Sequence, residues 1–139
     1  MRYVPAHSFV YAIGYRIQAV NQTDSLSYNI KIGHSQNPEQ RRSQLQTGNP
    51  NRLSLFASQC TALPEAAETE LKSYYRELGY RRRGEWFCLP KSDFDSLMQE
   101  VDDAVIRVAN REGIGHQIQT RIDSDREFGR YWSEESPSE

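Results

Sequence analysis

Apolar and polar positions along this 139-residue chain fall into short periodic blocks. In residues 8–20, Phe9, Tyr11, Ile13 and Tyr15 alternate with Val10, Ala12 and Gly14, an apolar run rich in strand formers. A polar stretch over residues 21–27 supplies a turn, and residues 28–33 read as a second strand. So short a connection favours an antiparallel hairpin, because a parallel return needs a longer crossover. Asn37 is then a plausible N-cap, with Pro38 at the first helical position and Gln40 completing a capping box. That helix runs through Arg41, Arg42, Leu45 and Gln46 and stops at Gly48, with Pro50 beyond.

Residues 53–58 read as a third short strand. Pro64 opens a longer helix, with Ala67, Leu71, Tyr74, Tyr75 and Leu78 at helical spacing and Gly79 closing it. Arg81, Arg82 and Arg83 lead into a strand over residues 84–89 that Pro90 ends. One last helix follows Ser92, carrying Phe94, Leu97, Met98, Val101, Val105 and Val108 on one face and ending near Gly113. The pattern predicts a small α+β domain over residues 1–112. Its sheet is mainly antiparallel, a hairpin plus further short strands, flanked by helices. Residues 113–139 are predicted to form a polar, acidic tail, partly mobile.

Composition narrows the class. Hydrophobic residues make up 37% and charged ones 26%, enough for a core, and no window approaches the ~18 apolar residues of a spanning helix. No apolar signal region follows Met1, and two cysteines, Cys60 and Cys88, are too few for a disulfide scaffold. The expectation is a soluble, cytoplasmic protein without a membrane partner. Its net charge of −2 hides an asymmetry: residues 1–90 carry 11 basic against 7 acidic side chains, and residues 91–139 carry 6 against 12. Fourteen of the 17 basic residues are arginine, the side chain suited to bidentate phosphate contact. Charge therefore permits a polyanionic partner for the first ninety residues without establishing one.

There is no glycine-rich phosphate loop, G-x-S-x-G elbow or H-E-x-x-H, and His7, His34 and His116 are scattered. What stands out is a tyrosine strand, a strand ending Lys31-Ile32-Gly33, an arginine on the next helix and a glutamate on the one after. Phe9-Val10-Tyr11, then Lys31-Ile32-Gly33-His34-Ser35-Gln36-Asn37-Pro38-Glu39-Gln40-Arg41, resemble the GIY-YIG nuclease superfamily. The resemblance is to its phage and bacterial branch with K-I-G in place of Y-I-G. That branch continues with an A-E-x-x-L-H helix and a G-E-W-F strand. This chain has Ala67-Glu68-Thr69-Glu70-Leu71-Lys72 and Gly84-Glu85-Trp86-Phe87, so the resemblance spans about residues 8–90.

The resemblance implies a DNA endonuclease that uses one divalent metal, Mg2+ or Mn2+. Tyr11 matches the candidate general base, Arg41 the phosphate-stabilising arginine eight residues after Gly33, and Glu68 the metal-binding glutamate. Lys31 replaces the superfamily's second tyrosine and is a second candidate phosphate clamp. Lys72 stands where the branch has histidine, and Phe9 where the first motif has glycine. Lys72, Arg42, Arg82 and Arg83 are candidate DNA-backbone contacts, and Glu85 and Tyr15 candidate supports of the site. By residue type alone, a strand tyrosine is core filling, a first-turn glutamate answers the helix dipole and Arg42 is solvated. Trp86 and Phe87 read as mostly core, Glu85 as a partner for Arg83 or another arginine, and Glu70 as solvated. The alternative is a catalytically weak or inactive module of the same fold that binds nucleic acid or a protein. Specificity is expected to be low, or to come from a protein partner or a homo-oligomer, with residues 114–139 one candidate partner-binding segment.

Overall fold

The computed structural model describes residues 8–17 and 26–113, and only the backbone of residues 81–83. The predicted acidic tail and the strand extension over residues 18–20 lie outside the described residues. Nine elements follow in chain order: β1 (Ser8–Ile17), β2 (Ser27–Ser35), α1 (Pro38–Gln46), β3 (Ser54–Thr61), α2 (Pro64–Glu77), β4 (Arg81–Arg83), β5 (Trp86–Pro90), α3 (Lys91–Asp95) and α4 (Leu97–Arg111). The fold is α+β, and the strands form one five-stranded sheet in the order β3-β1-β2-β5-β4 with every neighbouring pair antiparallel.

Period two divides the central strands between two faces. Val10 and Ala12 of β1, Ile30 and Ile32 of β2 and Phe87 and Leu89 of β5 pack under Ala67, Leu71 and Tyr75 of α2 and Leu97, Val101 and Val105 of α4. Tyr11 and Ile13 point to the other face. With Leu53 they form a smaller cluster flanked by Leu45 of α1, Tyr15 and Trp86. A shift of register against β3, between Ala12 and Ile13, pairs Ala12 with Ala57 but Ile13 with Leu55. The bulge lets two consecutive residues, Phe56 and Ala57, both join the larger core.

Several boundaries differ from the sequence pattern. The predicted third strand runs on to Thr61, because the polar Gln59 and Thr61 are buried like their apolar neighbours. Arg81–Arg83 is itself a short strand at the sheet edge. The predicted last helix is two helices, broken at Ser96. The break lets Phe94 stack on Tyr28, with ring centroids 3.7 Å apart, while α4 takes its own line across the sheet. Asn37 does cap α1, its side chain accepting from the Gln40 N–H at 3.1 Å. The reciprocal bond comes from upstream rather than from Gln40: the Ser35 hydroxyl accepts from the Asn37 N–H at 2.9 Å.

Candidate active site

The hairpin register sets Tyr11 directly opposite Gly33. The tyrosine is 2% exposed and its ring lies over the glycine. A Cβ at position 33 would overlap that ring, with Cζ only 2.6 Å away. Glycine is required here for close approach rather than for its backbone angles. Two residues back along β2, on the same face, Lys31 donates to Glu85 Oε1 at 2.7 Å. The hydrogen bond and charge of Lys31, with the charge of Lys72 added, hold the Glu85 carboxyl below the ordinary carboxylate range. Glu85 thus takes Lys31 as a partner; the side chain of Arg83, one of the arginines expected from sequence, lies outside the described residues.

One residue beyond Gly33 the chain faces the other way. His34 meets α2, its Nδ1 lying 2.6 Å from Glu68 Oε1. Lys72, one helical turn after Glu68, reaches Glu68 Oε2, also at 2.6 Å. Burial pushes the Glu68 carboxyl up, but the hydrogen bonds from Lys72 and His34 outweigh it, and its pKa lies below the ordinary value. Lys72 acts on Glu85 through its charge alone, and two groups of contacts, Lys31–Glu85 on the Tyr11 face and Lys72–Glu68–His34 on the α2 face, flank β2 close to Gly33. His34 is the member that the sequence reading missed. The available signal was strand parity, because residue 34 shares the face of Ile30 and Ile32, which pack under α2.

The remaining candidates are dispersed. Arg41 donates to Gln44 Oε1 at 3.2 Å along α1. It stands one turn before Leu45, so its helix is the one that packs on the Tyr11 face. Arg42 is engaged by Glu39, with Nε 2.7 Å from Oε2. Arg82 and Arg83 fall on β4, where the backbone of Arg83 pairs with that of Trp86, but their side chains lie outside the described residues. Tyr15 accepts from Asn29 Nδ2 at 2.8 Å and tilts against Trp86 at 5.9 Å between centroids.

Two further readings are corrected. Phe87 is buried, but Trp86 is only half-buried and borders an open groove on the Tyr11 face. Glu70 is not solvated: it bridges to Arg107, at 2.6 Å, and to Arg111, tying α2 to α4.

Chemically the arrangement is a half-buried carboxylate held between a lysine and a histidine, with the histidine one residue beyond the glycine on which Tyr11 packs. Among the described residues no three His, Cys, Asp or Glu side chains converge as a metal cage. Glu68 nevertheless suits a magnesium-type ion, which commonly binds through one or two carboxylates and completes its shell with water and substrate phosphate. Its Oε2 meets the Lys72 ammonium and its Oε1 the His34 ring nitrogen, partners that an incoming metal would have to displace.

Compared with known proteins, residues 8–109 match the T5orf172 domain. No curated protein and no solved structure matches the chain.

Proposed function

The chain belongs to the T5orf172 domain family, and from that membership we propose that it is a metal-dependent endonuclease hydrolysing DNA phosphodiester bonds through a GIY-YIG-type site. The T5orf172 domain occurs in phage and bacterial nuclease-like proteins, and a nuclease-like domain implies DNA as the partner. The observation that supports the reading is the packing of Tyr11 on Gly33, with the Lys31–Glu85 pair on the same sheet face and the Lys72–Glu68–His34 contacts beginning one residue on, at His34. In this reading Tyr11 takes the proton from the attacking water, and Arg41 and Lys31 bind the phosphoryl oxygens. Glu68 holds the divalent ion, magnesium or manganese, which when bound supplies charge neutralisation at the phosphate. A tyrosine acting as base needs neighbouring positive charge, and Lys31 stands on the same sheet face as Tyr11. Among the described residues no helix is long and apolar enough to cross a membrane. In this reading sequence specificity is either low or supplied by a protein partner or a second copy of the chain.

One observation favours the rival, a binding module without strong catalysis. Lys72 and His34 already engage both oxygens of Glu68, and an incoming metal has to compete with them. Nicking of supercoiled plasmid separates the two. Wild type is expected to nick with magnesium or manganese, to stop in EDTA, and to lose activity in Glu68→Gln. Salt-sensitive DNA binding by folded wild type, with no cleavage of supercoiled, linear or single-stranded DNA, would establish the module instead.

A further inference from the structure

On the Tyr11 face, next to the catalytic candidates, a groove of about 960 Å3 opens between the end of α1 and the strands. That volume falls within the ~300–1,000 Å3 common for small-ligand sites. Its floor carries the tilted pair Tyr15 and Trp86, with Asn29 and the Lys31–Glu85 ion pair beside them. Its far wall is the loop over residues 47–51, which brings Asn49 and Asn51 to the groove.

That wall is pre-built. Gln46 Nε2 donates to the carbonyls of Asn49 and Asn51, at 3.2 and 2.8 Å, and Gln46 Oε1 accepts from the Leu53 N–H at 2.8 Å. The Asn49 side chain accepts in turn from the Asn51 N–H at 2.9 Å. Pro50 also borders a second, smaller depression, lined by Arg42, Gln46 and Arg52, so a cationic surface adjoins the aromatic one.

Half-buried aromatic rings, amides able to donate and accept, and adjoining guanidinium groups are the elements that bind unpaired nucleotides. The ring stacks on the base, amides meet the base edge, and arginine meets the phosphate. A paired base inside a duplex offers neither its face nor its pairing edge. We propose that this groove holds an unpaired base of single-stranded DNA, stacked on Trp86, with the adjoining phosphate at Arg52. The inference rests on the nucleic-acid reading above and adds a preference for substrates with a single-stranded segment beside the cleavage site.

The test measures binding in EDTA, apart from cleavage, by fluorescence anisotropy of a labelled single-stranded oligothymidylate and of a blunt duplex. Trp86→Leu is expected to weaken single-strand binding about tenfold and to leave duplex binding within about twofold. Arg52→Glu should weaken single-strand binding as well, and it replaces an exposed residue outside the core. In a full-length Trp132→Phe protein, where Trp86 is the remaining tryptophan, the oligothymidylate should quench emission and the blunt duplex should not. Single-strand binding unchanged in Trp86→Leu, equal losses on both DNAs, or absent quenching would each overturn the groove assignment. A protein that nicks plasmid yet shows no single-strand quenching loses this inference and keeps the nuclease reading. One that binds and quenches without nicking keeps the groove and loses the nuclease.

Discussion

Tyr11 and Gly33 form one structural unit, since the ring occupies the space where any side chain at 33 would begin. Gly33→Ala must push the ring off the strand, and overpacking of this kind costs typically ~1–3 kcal/mol. Denaturant titration should show that loss, and plasmid nicking should fall with it if Tyr11 is the base; an unchanged midpoint would show that the ring moves freely. Glu68 makes a different prediction. Its carboxyl titrates lower in the folded protein than its ordinary 4.5, because Lys72 and His34 together outweigh the effect of burial. A depressed carboxyl pKa adds stability above the unfolded value, and that stability drains away as pH falls through the folded one. Wild type should therefore exceed Glu68→Gln in stability at pH 7, with the gap closing below pH 4.5. A gap that persists in acid would mean that the carboxylate contributes through shape rather than charge. The resemblance to the GIY-YIG pattern, more than residue type or spacing, singled out Tyr11, Lys31, Glu68 and Lys72 in the sequence. It did not reveal His34 as the partner of Glu68, because that contact depends on where α2 crosses β2.

Among the elements, α2 carries an internal tension. Tyr75 is fully buried between the sheet and α4, and among the described residues its hydroxyl has no hydrogen-bond partner. Burial, with the negative charges of Glu100 and Asp93 nearby, drives its pKa far upward, so the phenol stays neutral. An unsatisfied buried hydroxyl costs about 1–3 kcal/mol, and Tyr75→Phe keeps the ring while removing that cost. The variant should unfold at higher denaturant than wild type by roughly 1 kcal/mol; a clear loss of stability would reveal a bound water or partner at the hydroxyl. The same helix was legible in the sequence, since Ala67, Leu71 and Tyr75 recur at its period and Pro64 and Gly79 bracket it. Where elements were misread, periodicity could not have seen the difference. Phe94, Leu97, Met98 and Val101 keep the i, i+3, i+4, i+7 spacing across the break at Ser96, so two helices carry the signature of one. Gln59 reads as a surface residue, yet it sits in β3 and donates to the buried Asp102 of α4 at 3.1 Å. Three consecutive arginines lack any apolar alternation, although charged residues are common on an edge strand such as β4.

At the scale of the whole molecule, charge decides how a nuclease-like domain meets DNA. Residues 1–113 carry 14 basic against 13 acidic side chains, a balance of +1, whereas residues 114–139 carry 3 against 6, a balance of −3. The acidic excess thus lies in the segment beyond the T5orf172 match, while the family domain itself is close to neutral. A negative segment tethered to a DNA-binding surface repels the phosphate backbone from a short distance and lowers affinity without touching the site. That repulsion acts through solvent, so it is screened beyond about 10 Å at 0.1 M salt. A chain ending at Gly113 should therefore bind a blunt duplex a few-fold more tightly than the full chain at about 50 mM salt, and the advantage should shrink towards about 200 mM. Anisotropy titrations at both salts check this, with circular dichroism confirming that the shortened chain folds. Weaker binding after truncation would mean that the tail supplies DNA contacts of its own. An advantage indifferent to salt would point to physical obstruction of the site, making the tail a cover rather than a source of charge.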